Sequence, residues 1–86
     1  MFGVPQGKYI IVDDQPVLFM ETMEHQKVAS AFHKDRVTSA GFFNAIVLED
    51  GSLSVACYGE SLSLNLKAAK EDSALVKVMI MGWLEH

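Results

Sequence analysis

The sequence predicts a small α+β domain in which helices cover an antiparallel β-sheet. Short runs of β-branched and aromatic residues are separated by turn residues, and two other segments repeat their apolar residues with the helical period. Half of the 86 residues are hydrophobic, which is typical of a globular chain with one core. The predicted order is ββαββ(β)α. We expect a two-layer sandwich, with an antiparallel sheet of four to five strands and both helices on one face.

The chain is short enough that we expect one domain. Its last three residues, Leu84, Glu85 and His86, look like the start of a histidine tag. The predicted domain is therefore residues 1–83, and residues 84–86 are interpreted as a tag remnant.

The first predicted element is a β-hairpin. Residues 8–12 and 17–20 are rich in β-branched and aromatic side chains. Between them, residues 13–16 read Asp-Asp-Gln-Pro, a cluster of residues that favour turns.

A helix is predicted over residues 22–34, where the pattern changes from period two to the helical period. Thr22 is the expected N-cap of this helix. One apolar stripe with the spacing i, i+3, i+4, i+7 consists of His25, Val28, Ala29 and Phe32. We expect this stripe to lie against the sheet.

A second hairpin is predicted from residues 42–48 and 53–58, joined by a turn that contains Asp50-Gly51. Gly51 tolerates the positive φ that such turns require. Residues 61–66 alternate polar and apolar side chains, which indicates either a short fifth strand or an extended loop.

The last predicted helix covers residues 71–83 and begins with Glu-Asp-Ser, residue types that favour a helix start. Its core-facing stripe is predicted to be Leu75, Val76, Met79, Ile80 and Trp83, and a second apolar stripe consists of Ala74, Val78 and Met81. A strand over residues 74–83 is the alternative, because Val76, Val78 and Ile80 also alternate. The start residues and the length favour the helix.

Charge and cysteine content limit the function classes. The formal net charge is −4, which argues against nucleic acid as a partner because such binders usually carry a basic face. The chain has one cysteine, no secretory signal pattern and no apolar run of about 20 residues. We therefore expect a cytoplasmic protein without a membrane partner.

Two groups of residues have side chains that could bind a metal or act as a nucleophile. Glu21 and His25 have the i, i+4 spacing of paired metal ligands, but no third ligand accompanies them, so no metal site is predicted. Cys57 could act as a nucleophile beside a base. It shares a strand face with Leu53 and Val55, and we interpret it as a buried structural residue without catalytic function.

The candidate ligand-binding residues are His25, Tyr58 and Ser61, because residues 58–63 form the most polar stretch next to a predicted strand. The sequence contains no phosphate-binding glycine pattern and no hydrolase nucleophile pattern, and no cofactor is predicted.

The candidate interaction surface is the second stripe of the last helix, Ala74, Val78 and Met81. A small domain has one core, so an additional apolar stripe favours a partner. We expect a non-catalytic protein-interaction module that binds a second copy of itself or another protein. The alternative is a small enzyme or ligand-binding domain that uses the polar end of the sheet. The general character of the chain is similar to that of short bacterial or phage-borne domains.

Overall fold

The structure is a computed structural model that describes residues 6–84, except for the side chains of residues 34 and 84. It confirms the predicted α+β class. The elements are β1 (Gln6–Val12), β2 (Gln15–Phe19), α1 (His25–Ala29), a 3₁₀ turn (Lys34–Arg36), β3 (Val37–Val47), β4 (Leu53–Tyr58), β5 (Glu60–Ser61), β6 (Leu66–Lys67) and α2 (Asp72–Leu84). Of the predicted tag remnant, residues 85 and 86 lie outside the described residues.

The main sheet has four antiparallel strands in the order β2-β1-β3-β4. The first predicted hairpin is confirmed, and its two-residue turn holds Asp13 at φ 52° and Asp14 at φ 63°. Positive φ at both positions matches the right-handed twist of the flanking strands. The Arg36 side chain binds the Asp13 carboxylate, with Nε to Oδ2 at 2.6 Å, and thereby links this turn to the start of β3.

The hairpin between β3 and β4 is also confirmed. Gly51 has φ 86°, and its N–H donates to the carbonyl of Leu48 at 2.9 Å. The Asp50 carboxylate accepts hydrogen bonds from the N–H and the hydroxyl of Ser52, which fixes the turn from the other side. β3 is longer than predicted. It begins at residue 37, and a bulge accommodates Thr38, because Ile11 pairs with Ser39 while Val12 pairs with Val37.

The helices lie on opposite faces of the sheet, and the prediction of both on one face was wrong. Side chains alternate along β1, so Tyr9 and Ile11 pack with α2 while Ile10 and Val12 pack with α1. The physical reason is visible in the sequence, since the unbroken apolar run of residues 9–12 is typical of a strand buried on both faces. We call these surfaces the α2 face and the α1 face.

The first helix is shorter than the predicted 22–34. α1 covers only His25–Ala29, and Glu24 takes the N-cap position expected for Thr22, without a side-chain capping bond. At its C-terminal end the chain tightens into turns, in which the N–H of Phe32 donates to the carbonyl of Ala29 at 2.9 Å. The stripe predicted to face the sheet is nonetheless buried or half-buried: His25, Val28, Ala29 and Phe32.

In place of a fifth strand over residues 61–66, the structure has a small two-stranded sheet formed by β5 and β6. Asn65 takes φ 55° in the intervening turn, which an extended strand could not accommodate. Leu64 and Leu66 pack against the buried side chains of the α1 face. The hairpin therefore covers a part of this face beside α1.

The last element is a helix, so the strand alternative for residues 74–83 was wrong. Val76 and Ile80 are buried on the α2 face, and Leu75 packs beside them. Trp83 was predicted to join this stripe but is 56% exposed near the C-terminal end of the helix. Within residues 6–84, none of the helices has both the length and the apolar composition needed to cross a membrane.

Candidate functional site

A pocket of about 380 Å³ opens on the α1 face, where β1, β3, the start of α1 and the β5–β6 hairpin meet. The pocket is a shallow depression that is widely open to solvent. The lining residues are Lys8, Glu24, His25, Phe42, Glu60, Ser61, Leu62 and Ser63. We call it the polar pocket.

His25 is 5% exposed and is held by three neighbours in the polar pocket. Its Nε2 lies 2.8 Å from the Gly41 carbonyl and therefore donates the hydrogen bond. Its ring meets Phe19 and Phe42 edge-on, with centroids at 5.5 Å and 5.7 Å. A bond to a carbonyl oxygen requires that Nε2 carries a proton.

The ring of Phe42 contacts two of the predicted ligand-binding residues, His25 and Tyr58. Its ring stacks on Tyr58 with a centroid distance of 5.9 Å and an interplanar angle of 22°. The Lys8 ammonium lies 6.0 Å from the Phe42 centroid and donates to the carbonyl of Met23 at 3.0 Å. Tyr58 is 54% exposed and stands behind Phe42, outside the lining of the pocket.

Ser61 is 2% exposed and lines the pocket from β5. Its Oγ is 3.3 Å from the hydroxyl of Ser63 and accepts a long hydrogen bond from the N–H of Leu64 at 3.4 Å. Neither contact joins Ser61 to the imidazole of His25. The two side chains share a pocket but do not form the base–nucleophile pair that serine catalysis requires.

The sequence predicted two of the lining residues, His25 and Ser61, and the polar stretch 58–63 also contains Glu60, Leu62 and Ser63. Lys8, Glu24 and Phe42 were not predicted. Lys8 and Phe42 are directly paired across β1 and β3. Only the strand register brings them together, so the signal would have been a correct β1–β3 pairing.

Glu21 and His25, which have the spacing of metal ligands, do not form a metal site in the structure. His25 is engaged by Gly41, and Glu21 is exposed in the turn before α1. Over residues 6–84, no three His, Cys, Asp or Glu side chains are close enough together to hold a metal ion.

A second polar cluster lies on the α2 face and fixes the start of α2. The phenol of Tyr9 donates to Asp72 Oδ2 at 2.6 Å, and the same oxygen accepts the N–H of Ala69 at 2.8 Å. The pKa of Tyr9 is raised far above its usual value. Burial of the phenol is the main cause, and the hydrogen bond to Asp72 is the second. Asp72 is 1% exposed, so the cluster is closed to solvent. We interpret it as an anchor that joins the start of α2 to β1.

Cys57 lies half-buried beside this anchor. Its backbone N–H donates to Ser73 Oγ at 2.9 Å. Burial is the main cause that raises the pKa of the thiol. A raised pKa disfavours the thiolate that a nucleophile requires.

The candidate interaction surface lies on the outside of α2. Val78 is 71% exposed, Met81 is 43% exposed and Ala74 is also exposed. On the opposite side of the same helix, Val76 and Ile80 are buried in the core. We call Ala74, Val78 and Met81 the outer stripe.

Comparison of the chain with protein-family models, with curated proteins and with solved structures found no match. The outer stripe and the polar pocket are the candidate functional surfaces of the described residues.

Proposed function

We propose that this protein is a non-catalytic interaction module that associates with a second copy of itself through the outer stripe of α2. The observation that carries the proposal is the exposure of three aligned apolar side chains on a helix whose other side is already in the core. Aligned apolar side chains that remain in water favour a partner, because their burial is stabilising.

The spacing of the outer stripe suits helix-to-helix contact. Val78 follows Ala74 by four residues, and Met81 follows Val78 by three, which is the a/d spacing of paired helices. The small side chain of Ala74 lets two backbones approach closely, while Met81 adapts its shape to a neighbour. A twofold arrangement would place the same stripe of each copy against the other.

The expected dimer is weak. α2 has 13 residues and is therefore about 20 Å long, whereas stable complexes usually bury at least about 1,200 Å² in total. Burial of a Val or Met side chain contributes about 1.5–3 kcal/mol before the cost of association is subtracted. We expect dissociation in the micromolar range or above.

The test is the double substitution Val78→Glu with Met81→Lys, which leaves the buried side of α2 unchanged. Sedimentation velocity should show a concentration-dependent dimer for the unaltered protein and a monomer for the variant. The control is Gln15→Glu with Gln26→Lys, which places the same charges at exposed positions on β2 and α1. Far-UV circular dichroism checks that all three proteins are folded.

Two results would contradict self-association through this stripe. One is an unaltered protein that stays monomeric at high micromolar concentration. The other is complete dissociation of the control variant as well as of the variant with Val78→Glu and Met81→Lys. The loss of the dimer would then not be specific to the outer stripe of α2.

Small-ligand binding at the polar pocket is a second candidate function. His25 and Ser61 are distant in sequence, but the fold brings both into one pocket. Phe42 forms part of the wall of this pocket and contacts His25, and this arrangement favours ligand binding. Chemical-shift changes confined to these residues on addition of a ligand would support it. Catalysis is not part of this proposal, because His25 and Ser61 are each held by other groups.

We also propose a cytoplasmic location. The single cysteine, Cys57, lies within the fold beside Tyr9 and has no second cysteine to pair with, which fits a reducing compartment. Fractionation of the native host, with the protein detected by antibody, tests this location; recovery from a membrane or secreted fraction would contradict it.

A further inference from the structure

We infer that Asp50–Gly51 is a site of spontaneous isoaspartate formation, and that the folded β3–β4 turn slows this modification. The site is independent of the outer stripe and of the polar pocket. Asp-Gly is among the most reactive sequences for this chemistry, because glycine has no side chain that hinders attack by its nitrogen. The chain has one Asp-Gly pair, and the β3–β4 turn exposes it to water.

The modification requires only the chain itself and water. The nitrogen of Gly51 attacks Cγ of the protonated Asp50 carboxyl group, and the hydroxyl of this group leaves with the proton of the nitrogen as water. The product is a five-membered succinimide ring. Water then adds to one of the two ring carbonyls and cleaves its bond to nitrogen. Cleavage at Cγ restores Asp50, whereas cleavage at the main-chain carbonyl leaves Gly51 attached through Cγ, as isoaspartate.

The backbone of the turn keeps the two reacting atoms apart. Glu49 and Asp50 have negative φ, Gly51 has φ 86°, and the N–H of Gly51 donates to the carbonyl of Leu48 at 2.9 Å. These features define a type I turn followed by a left-handed glycine. In such a turn ψ of the second central residue is near 0°, so about a third of a turn is needed before the Gly51 nitrogen eclipses Cβ of Asp50, as ring closure requires. That rotation breaks the hydrogen bond to Leu48.

The side chain of Asp50 is held by Ser52. Its Oδ1 accepts the N–H of Ser52 at 2.9 Å and the hydroxyl of Ser52 at 2.6 Å. The rotation that closes the ring moves Ser52 away from this carboxylate and breaks these bonds. The same contacts, the hydroxyl first, lower the pKa of Asp50. They therefore reduce the fraction of the protonated acid, which is the form that loses water.

The test measures isoaspartate at residue 50 in the full chain. The protein is kept for several weeks at constant pH and temperature, in buffer or in concentrated urea, with water enriched in ¹⁸O. Peptides that contain residues 50 and 51 are then isolated, and electron-transfer fragmentation identifies the isomer, while the heavy oxygen marks each hydrolysed ring. Each hydrogen bond that must break slows ring closure by about two- to tenfold, so we expect formation in urea to be at least about tenfold faster than in buffer.

The variant Ser52→Ala tests the side-chain contact. It removes the hydroxyl that binds Asp50 and retains the bond from Gly51 to Leu48, so isoaspartate should form in buffer about two- to tenfold faster than in the unaltered protein. Ser54→Ala is the matched control, because Ser54 is exposed on β4 outside the turn. It should leave the rate unchanged. In urea all three proteins should react equally fast, and far-UV circular dichroism checks that the buffer samples are folded.

Four results would overturn the inference. Equal rates in buffer and in urea would mean that the turn does not protect the bond. A rate for Ser52→Ala equal to that for Ser54→Ala would mean that the contacts of the Asp50 carboxylate do not protect it. A difference between these variants that persists in urea would assign the effect to the neighbouring residue instead of the fold. Absence of isoaspartate in urea would show that residue 50 is not a modification site.

Discussion

On the α2 face one continuous helix of 13 residues covers the sheet, whereas on the α1 face a five-residue helix and a two-stranded hairpin divide the same surface between them. The helix start on the α2 face is fixed by a buried carboxylate, Asp72, that accepts two hydrogen bonds. The corresponding contact on the α1 face is the single bond from His25 to Gly41.

This difference explains where the candidate ligand site lies. The continuous helix packs on its face through Leu75, Val76 and Ile80 and leaves its own outer side exposed. Two short elements leave a space where they meet, and polar side chains of both elements line that space. Four predictions test this comparison.

The largest expected effect is that of Asp72→Ala. It leaves the buried phenol of Tyr9 and the N–H of Ala69 without an acceptor, and each lost partner costs about 1–3 kcal/mol, so we expect a loss of about 2–6 kcal/mol. Urea unfolding measures it. Glu71→Ala removes an exposed carboxylate next to it and should change stability by less than about 0.5 kcal/mol. Equal losses in both variants would mean that Asp72 is not an anchor.

The second prediction is a loss of stability at alkaline pH that depends on Tyr9. The pKa of its phenol is raised in the folded state, so above about pH 10 the unfolded chain releases a proton that the folded chain retains. The contribution of Tyr9 is therefore fully present below pH 10, and above it stability falls by about 1.4 kcal/mol per pH unit through this residue. The raised pKa of the Cys57 thiol adds its own loss from about pH 9. Tyr9→Phe should remove the part of the slope that begins near pH 10, measured by urea midpoints between pH 9 and about 11.5. Tyr58→Phe is the control, since it removes the same hydroxyl from an exposed ring.

The third prediction concerns the α1 anchor. His25→Phe keeps an aromatic ring between Phe19 and Phe42 but loses the hydrogen bond to Gly41, so we expect a cost of about 0.5–1.5 kcal/mol. Hydrogen exchange should accelerate in residues 25–29 and remain slow in α2. A loss as large as that of Asp72→Ala, or exchange that accelerates in both helices, would show that the two faces are equally fixed.

The smallest effect is expected within α2. A Cβ added to Gly82 meets no atom within 4 Å, so Gly82→Ala should stabilise the protein by about 0.5–1 kcal/mol through the higher helix propensity of alanine. Gly51→Ala is the matched comparison, because φ is 86° at Gly51 and alanine is strained there. Thermal unfolding should move in opposite directions for the two variants. A shift in the same direction would contradict the assigned backbone of one of them.

Local pattern was sufficient to predict both hairpins of the sheet and the last helix. These features depend on neighbouring residues, as at Gly51, where the turn itself requires the positive φ. The arrangement of the helices on opposite faces was signalled by the apolar run of residues 9–12, which lacks the alternation of a one-sided strand.

Contacts between distant residues could not be predicted in this way. Asp72 looks like an ordinary helix-start residue, and its function as an acceptor depends on Tyr9, which is 63 residues away. The polar pocket likewise requires the pairing of Lys8 with Phe42. His25 and Ser61 were identified as polar residues near structured segments, but their common pocket follows only from the β1–β3 register and the β5–β6 hairpin.

The hydrogen bond between Cys57 and Ser73 bears on aggregation at high protein concentration. β4 is an edge strand of the sheet, and outward-pointing amides on such a strand can recruit strands of neighbouring chains into fibrils. Ser73 Oγ already accepts the N–H of Cys57 at 2.9 Å. An incoming strand would have to break this hydrogen bond to pair with Cys57, so Ser73 at the start of α2 hinders growth of the sheet at this edge.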